Sequence, residues 1–184
     1  MKYIRIVHIA IILFSKQGIK ATSMDDIANH CGISKKTLYL QFRSKEALVD
    51  AVLLLIKNHF ELTIANQSIY SNSLVEELFS FLNYLSKAPS ILTPVFLIDL
   101  KSTYNAQYCK FFHFFYSKIT FFINNNIEIG IKKGYYVKSI LVNQIANWYF
   151  WQIKHAFVEQ ISSQQDSFKK ISFTNQILIE IFIH

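Results

Sequence analysis

GIKATSMDDIANHCGISKKTLYLQFRSKEAL, residues 18–48, is the stretch on which the reading of the fold turns. Ser23 stands where its hydroxyl can accept the backbone N–H of Asp26. Asp25 and Asp26 add negative charge to the first turn, where the helix dipole is positive. A helix therefore starts here. Ile27 and Ala28 face inward, and the small Ala28 lets a second helix approach closely. Gly32 supplies the positive φ that ends the helix, Ile33 plugs the corner, and Ser34 caps the next helix. Helix, short turn and helix make the helix-turn-helix unit. In the second helix Leu38 and Phe42, spaced i and i+4, point back to the core. Lys35, Lys36, Thr37, Tyr39 and Gln41 are left on the other faces. Cations and hydrogen-bonding tips of this kind suit phosphate oxygens and base edges. Ser44 then caps a longer helix, whose free N–H groups together with Lys45 offer another phosphate site.

Outward from this segment the spacing stays helical. Ile6, Ala10, Leu13 and Phe14 form one stripe before the stop at Gly18. Residues 45–66 place Leu48, Val52, Leu55, Ile56 and Leu62 on another, and beyond them Leu74, Leu78, Phe81, Leu82 and Leu85 form a third. Pro89 suits the first turn of the following helix. Residues 104–129 are apolar nearly all round, so that helix should be buried, ending at Gly130 and Gly134. Stripes over residues 137–161 and 166–183 complete the chain. With four Gly and two Pro in 184 residues there are few places for hairpins. The expected fold is all-α, about nine helices, with a helix-turn-helix domain at 1–46 and a larger helical body at 47–184.

Composition narrows the function. The chain carries 19 Lys and Arg against 12 Asp and Glu, a formal charge of +7. Residues 1–60 hold nine of those cations and only four of the acids, so the basic character, and the suspicion of a polyanionic partner, belong mainly to the N-terminal third. Cys31 and Cys109 provide neither a disulfide framework nor paired metal-ligand spacing, which fits a reducing cytoplasm. Residues 6–14 imitate a secretory leader, but His8 interrupts them and no small-x-small cleavage site follows. No run reaches the roughly 18–20 apolar residues that span a bilayer.

The head resembles that of the TetR family of bacterial transcriptional regulators. The resemblance runs over about residues 6–48, a quarter of the chain. It rests on Ala10, Leu13, Phe14 and Gly18, on Thr22, Ser23, Ile27 and Ala28, on Gly32, Ile33, Ser34, Thr37, Leu38, Tyr39 and Phe42, and on Ser44, Lys45, Glu46 and Leu48. It implies that Thr22, Ser23, Thr37, Tyr39 and Lys45 contact DNA phosphates, and that Lys35, Lys36 and Gln41 lie in or beside the major groove. Two positions depart from the family pattern. Lys36 replaces a residue that is often small, adding a phosphate or base contact. Leu40 stands where many relatives have a polar group, so reading there would be an apolar contact with a thymine methyl. The short segment before the first helix leaves little for minor-groove reading. Blander roles compete: Tyr39 as a packed aromatic, single lysines as solvated charges, and Thr22 and Ser23 as caps, a role compatible with phosphate contact.

For the body the resemblance implies a ligand pocket and a homodimer paired through the last two helices. Such a dimer would set two recognition helices about 34 Å apart on a palindromic double-stranded operator. It also implies a repressor released by a small-molecule effector. Tyr108, Phe112, His113, Phe115, Tyr116, Trp148, Trp151 and His155 combine aromatic bodies with polar tips, a lining suited to a planar or apolar ligand. Core and dimer packing compete for each of them, and for Trp148 and Phe150 the dimer seam in particular. Cys109 and His113 share a helix face but lack further ligands, and His30 and Cys31 diverge; no metal or cofactor is expected. An enzyme is disfavoured: no Ser/His/Asp arrangement, glycine-rich phosphate loop or metal-binding helix motif occurs, and Glu76 and Glu77 point apart. A membrane-surface protein would not need the ordered spacing of residues 18–48. A regulator governed by a protein partner or by its own abundance stays open.

Overall fold

The computed structural model describes residues 2–86, 91–137 and 141–158, together with Asn175. Within them lie eight helices: α1 (Lys2–Gln17), α2 (Met24–Cys31), α3 (Lys35–Gln41), α4 (Lys45–Tyr70), α5 (Leu74–Ser86), α6 (Pro94–Thr103), α7 (Asn105–Lys132) and α8 (Val142–Val158). The all-α expectation holds. The helix expected over 166–183 lies outside the described residues apart from Asn175.

Two compact units divide the chain: residues 1–60 with 89–112, and residues 61–88 with 113–184. The expected boundary at 46/47 falls inside the first unit, whose core takes in part of α4 and all of α6. The stripe of α1 is buried as its spacing predicts, with Ile6, Ala10, Leu13 and Phe14 out of solvent. This helix packs on α2 and α6. Ile27 and Ala28 from α2, Leu38 from α3, Leu48, Val49 and Val52 from α4, and Leu97 and Leu100 from α6 are buried in the same unit. Each large side chain among these contributes about 1.5–3 kcal/mol by leaving water. Tyr3 stacks on Phe42 with ring centroids 4.9 Å apart, covering the corner where α3 ends.

The first described helix after α5 begins at Pro94; Pro89, expected in a first helical turn, lies outside the described residues. Thr93 caps it by accepting the Phe96 N–H at 3.3 Å, and Pro94 fills the first turn, where a missing N–H costs nothing. The same Thr93 hydroxyl donates to the Ser15 carbonyl at 2.7 Å, while the Ser15 hydroxyl donates to the Ile91 carbonyl at 2.6 Å. Capping and tethering to α1 are thus done by one side chain.

In the second unit Leu78, Phe81, Leu82 and Leu85 of α5 are buried, as are Ile119, Phe122, Ile123 and Ile127 of α7 and Ala146, Tyr149, Phe150 and Ile153 of α8. Phe81 and Phe122 meet at 4.0 Å between centroids, and Tyr116 meets Phe150 edge-on at 5.0 Å. Two expectations fail here for a shared reason. Leu62, assigned to the α4 stripe, is 66% exposed, and Phe121 on the supposedly buried α7 is 71% exposed. The apolar residues of these helices outnumber the positions their neighbours cover.

Gly130 does not end α7 but lies within it. A side chain there would overlap the ring of Tyr136, which folds back over the helix. The Tyr136 hydroxyl donates to Asn126 Oδ1 at 3.0 Å, and Asn126 Nδ2 donates to the Leu74 carbonyl at 2.9 Å and Glu77 Oε2 at 2.7 Å. Burial, with the Glu77 charge second, pushes the Tyr136 phenol well above its ordinary range. The helix stops at Gly134, where Gly134 N–H reaches the Ile131 carbonyl and Tyr135 N–H the Gly130 carbonyl.

Gly130→Ala is expected to lower stability. Overpacking costs about 1–3 kcal/mol, more than the roughly 0.5–1 kcal/mol that Ala gains over Gly inside a helix. Urea unfolding measures the balance, and a raised midpoint would show that the Tyr136 ring is not held against the helix.

Candidate nucleic-acid interface

The interface is built from short helices whose ends are closed by side chains. At the start of α2 the Ser23 hydroxyl oxygen accepts the Asp26 N–H at 3.1 Å, and Asp26 Oδ2 accepts the Ser23 N–H at 2.8 Å and the Ser23 hydroxyl at 2.7 Å. This reciprocal capping box satisfies donors that the first helical turn cannot. The Ser23 bonds hold the Asp26 carboxyl below the ordinary carboxylate range. At the other end Gly32 adopts φ +65°, with Gly32 N–H to the Asn29 carbonyl and Ile33 N–H to the Ala28 carbonyl, both 3.0 Å. Those two bonds form the Schellman turn that aims α3 away from α2.

Ser34 caps α3 by accepting the Thr37 N–H at 3.1 Å, and the two hydroxyls lie 2.9 Å apart. Of the seven residues of α3 only Leu38 is buried. Lys35, Lys36, Tyr39, Leu40 and Gln41 are exposed and Thr37 is half-buried, so one helix presents two cations, a phenol, an amide and an apolar tip to solvent. The cations differ. Lys35 Nζ sits 2.8 Å from Asp25 Oδ1 and 2.9 Å from Oδ2, a link from α3 to α2 that raises the lysine pKa. Ser44 caps α4 by accepting the Ala47 N–H at 3.1 Å. Next to it the half-buried Lys45 has its pKa lowered by burial, with the charges of Asp99 and Asp26 pulling the other way.

Thr22 corrects a sequence-based expectation. It is fully buried, donates its hydroxyl to the Gly18 carbonyl at 2.8 Å and accepts from Gln17 Nε2 at 3.1 Å. A side chain so enclosed braces the bend between α1 and α2 and has no surface for a phosphate. Ser23, beside it, is exposed.

Asp99, on α6, is a residue the sequence reading missed. It is buried, accepts the Lys20 N–H on Oδ2 at 2.8 Å, and lies 4.0 Å from Lys20 Nζ. Its signal was a lone acid in the apolar run VFLIDL, residues 95–100. At the same bend Gly18 has φ +90°, and a Cβ there would run into Asp99 and Val95. Gln107 adds a further tie, donating to Glu46 Oε1 at 2.7 Å at the start of α4.

The eight aromatic and imidazole residues expected around a ligand are distributed between the two units. Tyr108, buried, and Phe112, half-buried, meet at 4.6 Å in the first. In the second, Phe115 and Tyr116 are half-buried, with the Tyr116 hydroxyl donating to Asn147 Oδ1 at 2.7 Å. His113 and His155 are exposed, as are Trp148 at 42% and Trp151 at 58%, the latter under Lys154 Nζ at 4.6 Å from its ring. A groove of about 330 Å³ in the first unit, lined by Ile11, Ile12, Ser15, Lys16, Ile91 and Thr93, includes none of the eight. Among the described residues no group of three or more His, Cys, Asp or Glu could hold a metal ion, and no helix is long and apolar enough to cross a membrane.

Comparison with known proteins bears on both parts of the chain. The sequence model for bacterial regulatory proteins of the tetR family matches residues 6–52. An uncharacterized HTH-type transcriptional regulator of Bacillus subtilis, YerO, is 53% identical over 45 residues, which are 24% of this chain and 16% of that regulator. The curated relatives are thus matched over a small part of their length. Along the whole chain the likeness is one of fold. A TetR transcription regulator from Haloarcula marismortui superposes with a TM-score of 0.84 at 14% identity, covering 100% of this chain and 98% of that one. FadR of Bacillus subtilis in complex with stearoyl-CoA does so with a TM-score of 0.72 at 16% identity, over 99% and 100% of the two chains.

Gly18→Ala is expected to cost at least about 1–2 kcal/mol from its backbone angle alone, and more as the new methyl displaces Asp99. Asp99→Asn, which retains an acceptor for Lys20, should cost less than Asp99→Leu, which leaves that N–H unpaired at about 1–3 kcal/mol. Thermal unfolding of the three variants gives the order. Equal losses for the two Asp99 variants would remove the Lys20 bond as the reason for this carboxylate.

Proposed function

We propose, on the premise that residues 6–52 belong to the TetR family of bacterial regulatory proteins, that the whole chain is a sequence-specific DNA-binding transcriptional repressor acting as a dimer in the cytoplasm. The observation that carries this reading is α3, whose exposed Lys36, Tyr39, Leu40 and Gln41 stand on a support closed by Ser34, Leu38 and Phe42. Cations on such a face would bind phosphates and give affinity, and the tips between them would contact base edges and give sequence preference. Ser23, Thr37, Tyr39 and Lys45 are the phosphate contacts in this reading, and Lys35, Lys36 and Gln41 lie in or beside the major groove, where Lys36 also reaches a phosphate. Thr22 acts behind them by holding the bend.

One such helix covers half a palindromic site, and a dimer supplies the other half at a spacing of about 34 Å. Exposed Trp148 and Trp151 on α8 support a dimer face there, because tryptophan is enriched at the buried centre of protein interfaces. The second unit would take an apolar or aromatic effector. The aromatic density around half-buried Phe115 and Tyr116, and the stearoyl-CoA bound by FadR, favour that ligand chemistry. An effector releases DNA only to the extent that it binds one arrangement of the two heads more tightly than the other.

Fluorescence anisotropy with the DNA upstream of the chain's own gene, beside a scrambled duplex at two salt concentrations, tests the reading. A strong preference for the native duplex with two chains bound is expected. Equal, steeply salt-dependent binding to this and every other candidate operator would reduce the chain to a nonspecific basic protein. Lys36→Ala and Lys45→Ala should each lower the slope of log affinity against log salt by about 0.9 for every phosphate the lysine neutralises. Lys35→Ala should lower it less, because Asp25 already neutralises that cation. Equal slopes for the Lys35 and Lys36 variants would contradict the distinction drawn from the ion pair.

A further inference from the structure

We propose that Leu40 is a specificity-determining residue that reads the C5-methyl group of a thymine in each half of the operator. The inference rests on the DNA-binding role proposed for α3 and names part of the sequence recognised.

Leu40 is 74% exposed on α3, a helix held to the core by Leu38 and followed at once by buried Phe42. Core packing therefore gives no reason for leucine at this position. Leaving such a side chain in water forgoes the stabilisation that burial would bring. Its setting favours a nucleic acid over an apolar protein surface. Lys36 precedes it by four residues and so shares its face, Tyr39 and Gln41 flank it with polar tips, and the first 60 residues carry a clear excess of cations. Among the groups that base pairs present in the major groove, nitrogens and oxygens donate or accept hydrogen bonds, and the thymine methyl is the apolar one. Leucine can neither donate nor accept, so the complementary group for its tip is that methyl. Lys36, one turn away, supplies the charge that holds the backbone or an adjacent guanine close while the contact forms. The pairing distinguishes thymine from cytosine, which lacks the methyl, without a hydrogen bond.

The experiment uses the full-length chain. Preferred duplexes are selected from a randomised library, and each recurrent thymine of the recovered site is then replaced singly by uracil, which removes the methyl and keeps the pairing. One thymine per half-site should be sensitive, with affinity falling about fourfold for a methyl removed from its contact, as expected for roughly 0.8 kcal/mol per buried carbon. Other thymines should tolerate the change. Leu40→Ala should bind thymine and uracil duplexes alike, while Leu40→Met should keep the discrimination. Both variants should melt with the parent protein, because the side chain is exposed.

Recovery of a specific site whose thymines all tolerate uracil overturns this inference alone. A methyl preference undiminished in Leu40→Ala transfers the contact to another residue and overturns it as well. Failure to recover any preferred sequence overturns the inference together with the DNA-reading function on which it rests.

Discussion

The carboxylate of Asp99 accepting the Lys20 N–H is the constraint on which the head depends. A buried carboxylate is expensive unless it is hydrogen-bonded, and a bond to a backbone donor is strengthened by the charge. Placed at the bend between α1 and α2, that bond requires the chain to pass close to α6. Gly18 permits the approach because it has no Cβ and takes φ +90°. Thr22 then closes the bend from inside by donating to the Gly18 carbonyl. Once the exit from α1 is set, the direction of α2 is set, and the turn at Gly32 passes that direction on to α3.

The recognition helix needs this support because it cannot stabilise itself. Seven residues are far fewer than the roughly 12–15 at which an isolated helix becomes even marginal in water. Ser34 at one end, Leu38 in the middle and Phe42 at the other do the holding, with Tyr3 stacked over Phe42. Those are few fixed points, and the economy has a consequence for chemistry. Most of the side chains of α3 are released from structural duty and can be chosen for what they meet outside. The ion pair of Lys35 with Asp25 is the exception, because a cation that braces α3 against α2 is less available to a ligand than the neighbouring Lys36.

What could be read from sequence divides along the range of the interactions involved. The caps at Ser23, Ser34 and Ser44, the left-handed Gly32 and the i, i+4 pair Leu38 and Phe42 all act within a few residues, and each stands in the structure as its spacing predicts. Thr22 shows the limit of reading a side chain by type, since its hydroxyl suits a phosphate but is committed to Gly18. In the rest of the chain the deciding contacts are long-range. The helix start at Pro94 is not singled out in the sequence, and the tether of its cap Thr93 to Ser15 spans 78 residues. Gly130 is the exception in range: the ring against it belongs to Tyr136, in the turn just beyond the helix, yet no spacing rule announces that the chain folds back there. Leu62 and Phe121 sit on apolar patterns that no local rule could have divided into covered and uncovered positions.

The same distinction explains why the domain boundary drawn from sequence and the compact units differ. The sequence places the break where the dense capping signals end, near residue 46, because those signals are local. The first unit instead closes through α6, whose Leu97 and Leu100 are buried and whose Asp99 receives the Lys20 N–H. The lone acid in the apolar run of residues 95–100 signals that a partner is needed, but nothing near it says that the partner lies 79 residues earlier. The energetics make α6 scaffolding for the head: withdrawing it breaks the hydrogen bond between the Asp99 carboxylate and the Lys20 N–H, and a bond to a charged group is worth about 1.5–3 kcal/mol. Any rearrangement of α6 must therefore carry the bend at Gly18 with it or find those two groups water. That requirement applies to every conformational state the head adopts, whatever binds elsewhere in the chain.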